Sequence, residues 1–185
     1  MKQKIYNLKE FAAEYQLEDI FGAYAAHFMV TTEDHSHFTD LVKERTLFAK
    51  LLLVRQGSCR LTINDNHDGN TEIRTGDLLI ASSKDIASVQ TVSSDFEAEC
   101  ILVDDFFSIV TSHYKLPEEK NKSIIDIFHF IRDIVRHQHI NKIEMIRSMF
   151  NVLKLIIEEL PYEQCSVSHD LGHKKEIYEI FLYHL

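Results

Sequence analysis

His35 and His37, one residue apart in His35-Ser36-His37, have the spacing in this sequence that most invites a metal. Imidazole nitrogens suit zinc, iron and copper, and two close together make half of a site. They lie in a polar stretch, Thr31 to Glu44, where two solvated loop histidines are the favoured reading. Lys50 is the second candidate, because it interrupts the apolar run Phe48-Ala49-Lys50-Leu51-Leu52-Leu53-Val54. An ammonium that faces an apolar interior needs a partner charge or a polar ligand. Cys59, Cys100 and Cys165 are odd in number and show no CxxC spacing, so ordinary buried thiols in a reducing compartment are expected. Acidic pairs such as Asp104-Asp105 and Glu158-Glu159 read as solvated faces. There is no GxGxxG, GxxxxGK[ST], GxSxG or HExxH pattern, and no catalytic residue is assigned.

The elements that must position Lys50 show a two-residue rhythm. Leu51 to Val54, Leu61-Thr62-Ile63 and Leu78-Leu79-Ile80 are runs of strand length, separated by Gly57, by Asn64 to Asn70 and by Gly76-Asp77, which predicts antiparallel hairpins. Cys59, Leu61 and Ile63 share one face while Arg60, Thr62 and Asn64 share the other. Phe21 to Thr32 reads as an earlier strand, and Val89 to Leu102 continues the strand signals around the turn Ser93-Ser94-Asp95. In this register Phe48, Lys50, Leu52 and Val54 point inward. Lys50 could then orient an anionic or carbonyl-bearing ligand in a pocket lined by Thr46, Phe48, Ile63 and Cys100, or it could snorkel to the rim or pair with Glu97 or Glu99.

An apolar strand, Gly57, Arg60-Leu61-Thr62-Ile63-Asn64, a loop and then Thr75-Gly76-Asp77-Leu78-Leu79-Ile80 together resemble the cupin-type N-terminal sensor domain of AraC-family transcription regulators, over residues 20 to 110. The resemblance implies a fold of class α+β, a cupin-like antiparallel β-barrel (jelly roll) followed by two antiparallel helices. It also implies a barrel that small-molecule effectors enter. Cupin enzymes hold metal through a His-x-His pair, a Glu and a further His. Aligned on Gly57, that Glu falls at Lys50, the pair near Glu44 to Thr46, and the last His at Ala87. His35 and His37 sit too early for this set, so no metal and no cofactor are expected. A small cupin enzyme, isomerase or dioxygenase, with a non-standard site is the alternative.

After residue 110 the period becomes helical. Leu116-Pro117-Glu118-Glu119 is a helix entry, with acidic residues at the positive end of the dipole. Ile124, Ile127, Phe128, Ile131, Ile134 and Val135 form its apolar stripe. A second helix starts at Asn141, with Glu144 placed for a capping box. It carries Ile143, Ile146, Phe150, Leu153, Ile157 and Leu160 at spacings of three and four, a helix-pair seam widened by Val152, Leu155 and Ile156. The resemblance implies that these residues form a homodimer contact. The expected organisation is a sensor barrel over 1–110 with a short N-terminal helix from Asn7, a helical dimerisation hairpin over 115–160, a linker over 161–173, and over 174–185 the start of a truncated DNA-binding half.

Charge agrees with that division. The 185 residues carry a formal charge of −9, of which residues 1 to 110 hold 10 basic and 18 acidic side chains. A face this acidic repels phosphate, so DNA is expected as a partner only through a missing C-terminal half. No apolar run has membrane-spanning length, and a cytoplasmic location is expected.

Overall fold

The computed structural model describes residues 5–32, 45–63, 71–83, 85, 87–104 and 111–160. His35, His37, the loop over 64–70, Cys165, the linker and the last helix of the sequence reading lie outside them.

Six strands form one antiparallel sheet: β2 (Asp19–Phe21), β3 (Ala25–Thr31), β5 (Phe48–Gln56), β8 (Asp77–Ala81), β10 (Glu97–Asp104) and β11 (Ser112–Lys115), in the order β11-β8-β5-β10-β3-β2. A smaller sheet has β6 (Ser58–Ile63) between β7 (Thr71–Arg74) and β9 (Ala87–Val92). A third, parallel pairing joins β1 (Ile5–Tyr6) to β4 (Arg45–Thr46). The sheets face one another without closing into a continuous barrel among the described residues, so the expected barrel is a two-sheet sandwich. Helix α1 (Leu8–Glu14) is fastened by a capping box, in which the Glu10 amide donates to Asn7 Oδ1 at 2.9 Å and the Asn7 amide donates to Glu10 Oε2 at 3.1 Å.

The apolar run in β5 follows from burial on both sides. Leu52 and Val54 join Cys59, Leu61, Ile63, Leu79, Cys100 and Leu102 in the core between the sheets. Leu51 and Leu53 join Leu78, Ile80, Ile101 and Val103 in a second core on the opposite face. Where a strand is covered on both faces, as over Leu51-Leu52-Leu53-Val54, successive residues are apolar and the alternation that marks a half-buried strand disappears.

Two helices supply the outer cover. α2 (Glu118–Arg136) buries Ile124, Ile127, Phe128, Ile131, Ile134 and Val135, the stripe read from the sequence. α3 (Lys142–Glu158) runs back along it, with Glu159 at its end ion-paired to Lys120 in the first turn of α2. Pro117 is the N-cap of α2, with Glu118 and Glu119 in its first turn. At α3 the expected capping box is not made: Asn141 is the N-cap, but its side chain forms no capping hydrogen bond. The start of α3 is held instead by Lys142, whose Nζ donates to the Val135 carbonyl at 3.0 Å and lies 4.7 Å from the centre of the Phe21 ring.

Gly57 makes the tight turn from β5 into β6 at φ +73°. A Cβ there would collide with the Ser93 hydroxyl and come within 3.0 Å of Phe96 Cα. Two changes check this packing by urea unfolding. Phe128→Ala in the outer core is expected to cost about 3–5 kcal/mol. Leu155→Ala, on the exposed side of α3, should cost less than about 0.5 kcal/mol, and equal costs would mean that α2 and α3 do not share this core.

Candidate functional site

The inner face holds most of the residues read from the sequence as a pocket. Phe48, Ile63 and Cys100 are all buried in the core between the sheets. Lys50 lies on the same face of β5, only 6% exposed, opposite Ala81 on β8 and Leu102 on β10. Its charge is felt by the Cys100 thiol, which burial nonetheless pushes up to about 12; burial does the same to Cys59. Thr46 is buried too, with its hydroxyl donating to the Phe48 carbonyl at 3.0 Å. Pairing of Lys50 with Glu99 is not seen, because Glu99 projects from the other face of β10. A depression of about 510 Å³ lies away from these residues, at the β5–β6 turn, with a polar lining that includes Ser58, Glu72, Arg74 and Asp95.

The outer face carries a charged cluster. His27 on β3 and Glu99 on β10 are each 2% exposed, and Nε2 of the ring lies 2.9 Å from Glu99 Oε1. On the other carboxylate oxygen, Arg55 Nη1 of β5 stands at 3.6 Å and His129 Nε2 of α2 at 3.7 Å. The second ring nitrogen of His27 is 3.6 Å from Asp19 Oδ2 on β2, and that oxygen is held at 2.7 Å by both Nε and Nη2 of Arg136 in the last turn of α2. Four strands and a helix are thus joined through two carboxylates. Burial pushes the Glu99 carboxyl up, but the His27 hydrogen bond and the charges of His27, His129 and Arg55 outweigh it and hold it below its ordinary value. Asp19 behaves likewise, with burial outweighed by Arg136 and His27.

A second buried pair sits at the opposite edge of the sheet. His113 Nε2 on β11 is 3.0 Å from Asp77 Oδ2, which also accepts from the Arg74 amide at 2.9 Å. The Gly76-Asp77 step therefore serves as a turn whose carboxylate pins the edge strand. Among the described residues, no group of three or more His, Cys, Asp or Glu side chains is arranged to hold a metal ion.

Sequence reasoning missed both clusters. His27 and Glu99 are 72 residues apart, and only the register that sets Cys100 opposite Phe28 and Ile101 opposite His27 brings them side by side. The available signal was a charged residue set between Ala98 and Cys100 in an apolar strand. The α3 seam is also placed differently from its reading as a contact between copies. Ile146, Phe150 and Leu153 are buried within the chain against the sheet and α2, and Ile157 packs on the same core. Leu160 is buried as well, and Ile143 is half-buried. The apolar side chains that α3 leaves exposed are Val152, 41% exposed, and Leu155, 62% exposed.

No protein-family model matches the chain, and no curated protein does. Solved structures similar to it include the AraC-like transcriptional activator CuxR, 11% identical, with a TM-score of 0.47 over 79% of this chain and 51% of that one. ToxT from Vibrio cholerae is 9% identical, with a TM-score of 0.44 over 74% of this chain and 56% of its own. A variant of oxalate decarboxylase from Bacillus subtilis is 24% identical, with a TM-score of 0.27 over 62% and 26% of the two chains. The chain spans about half the length of the two regulators. The fold class is α+β, with an antiparallel two-sheet sandwich ahead of two antiparallel helices. No helix among the described residues is long and apolar enough to cross a membrane.

Two measurements check this chemistry. Glu99 and Asp19 are held below ordinary values of 4.5 and 3.8, so the stability that they contribute is present above that range and lost as pH falls through the lower folded values. The urea midpoint should therefore drop between about pH 5 and pH 3, more steeply in the unmodified chain than in Glu99→Gln; parallel profiles would remove Glu99 from the account. Cys59 and Cys100 should stay unlabelled by a maleimide in the folded protein at neutral pH and react once urea exposes them, as peptide mapping would show.

Proposed function

We propose that this chain is the effector-sensing and dimerisation domain of an AraC-type transcriptional regulator, and that DNA contact belongs to a C-terminal helix-turn-helix half outside residues 1 to 185. The observation that carries the reading is that one sheet is shared by two cores. β5 and β10 present Lys50 and Cys100 to the space between the sheets, and on their reverse side they present Leu51, Leu53, Ile101 and Val103 to α2 and α3. A ligand that displaces these strands from within shifts the seat of both helices, and a population shift of that kind alters how an attached domain is presented.

In this reading Lys50 supplies a cationic contact in an apolar interior, and the effector is an anionic or carbonyl-bearing small molecule among Phe48, Ile63, Cys100 and Thr46. The domain works in the cytoplasm and catalyses no reaction. Two copies meet along α3. Because Ile146, Phe150 and Leu153 are buried within the protomer, that contact draws on Val152 and Leu155, with Ile143 and Ile157 at its margin.

Thermal-shift screening against a panel of small carboxylates and carbonyl compounds tests the ligand. A hit should raise the melting temperature of the unmodified protein and lose at least about tenfold in affinity, roughly 1.4 kcal/mol, in Lys50→Met. Hits that bind the variant equally well would place the effector elsewhere. Sedimentation equilibrium tests the pairing: Leu155→Glu should convert a dimer into a monomer, and a protomer that is monomeric before the substitution would overturn it.

A further inference from the structure

The cluster on the outer face holds a mismatch. Glu99 is ionised at neutral pH, as an ordinary carboxylate is, and so is an acceptor only, which places the proton shared at 2.9 Å on Nε2 of His27. In the neutral ring Nδ1 is then a bare lone pair. It is buried, has no hydrogen-bond partner among the described residues, and lies 3.6 Å from another acceptor, Asp19 Oδ2. Two acceptors facing each other repel, and the buried one, with no donor, carries a desolvation cost.

A second proton on the ring reverses this. Nδ1 becomes a donor aimed at a carboxylate, and the gap of 3.6 Å can close to hydrogen-bond distance, roughly 2.8–3.0 Å. Asp19 is not free to move alone, since Arg136 grips the same oxygen with two nitrogens at the end of α2. The edge strand β2, three residues long and paired among the described residues to β3 alone, travels with it.

We propose that His27 operates a proton latch that draws β2 and the C-terminal end of α2 onto the large sheet when its imidazole takes up a second proton.

The surrounding charges allow that step. Glu99 of β10 and Asp19 of β2 face the ring directly. Arg55 of β5 and His129 of α2 stand by Glu99 Oε2, the oxygen away from the ring contact, and Arg136 of α2 is spent on Asp19. With both histidines neutral, two carboxylates and two guanidiniums balance, so the incoming charge is placed between the two anions with both cations on their far oxygens or already paired. A site that binds the proton more tightly when closed holds α2 most firmly in mild acid and loosens as pH rises. His129 is 40% exposed and meets Glu99 at 3.7 Å, so its contact is a separate and weaker influence.

Hydrogen exchange of the α2 amides, corrected for intrinsic rates, reads the latch. In the unmodified chain, protection over the last two turns of α2 should fall about tenfold between roughly pH 5.5 and pH 8. His27→Gln keeps a donor for Glu99 but cannot take the second proton, and its protection should be flat over that range; His129→Gln should retain the fall. A fall that persists in His27→Gln, or that disappears in His129→Gln alone, overturns the proposal. Ring nitrogen shifts of His27 in the unmodified protein need no variant. Nε2 protonated throughout, with Nδ1 gaining its proton inside the same interval, supports the latch; a ring that keeps one form across it, or is neutral with the proton on Nδ1, ends it.

Discussion

A sheet with apolar cover on both faces is the constraint on which the rest of this structure depends. The apolar residues of β5 and β10 are divided between two cores, and each of those cores is completed by different partners: the small sheet and α1 on one side, α2 and α3 on the other. Burying a leucine side chain contributes roughly 1.5–3 kcal/mol, and Leu51, Leu52 and Leu53 deliver it alternately to the two sides. The helices are therefore bound to the sandwich through the same strands that wall its interior. A shift of a few tenths of an ångström in β5 cannot be absorbed on one side alone, because close-packed interiors have no slack to take it up.

Polar groups set into such a sheet are under stricter terms than elsewhere, since no face opens to water. The molecule meets those terms by pairing across strands: His27 with Glu99, and His113 with Asp77. Each pair bridges neighbouring strands and so fixes register as well as charge. The outer cluster adds a property the edge pair lacks, because Arg136 and His129 bring the helical layer into it. Two carboxylates held below their ordinary values, Glu99 and Asp19, thereby tie the large sheet to the helical layer.

Much of the architecture was legible in the sequence. The Gly57 turn, the Gly76-Asp77 step, the outer stripe of α2 and the inward register of Phe48, Lys50, Leu52 and Val54 all follow from local rules of turn chemistry and period. What local rules do not contain is the identity of a partner. The unbroken run Leu51-Leu52-Leu53-Val54 says that both faces are covered and is silent on what covers them. The Glu99–His27 contact spans 72 residues and exists only because β10 pairs with β3 in one particular register. The pocket residues on β4, β5, β6 and β10 were placed by alternation alone, and alternation assigns a face without saying whether that face encloses space.

The same distinction explains α3. Its seam of Ile146, Phe150 and Leu153 has the spacing of a helix pair, and spacing is identical whether the partner belongs to the same chain or to another. Here α2 and the sheet claim that seam. The wider part of the stripe is what a second surface would have to use, and it is small: Val152 and Leu155, with Lys154 and Glu158 exposed on the same helix. Two exposed aliphatics make a modest anchor compared with the core beneath them. An association built on such a patch is reversible and sensitive to how α3 is seated, and α3 is seated by the strands that carry Lys50 on one side and Glu99 on the other.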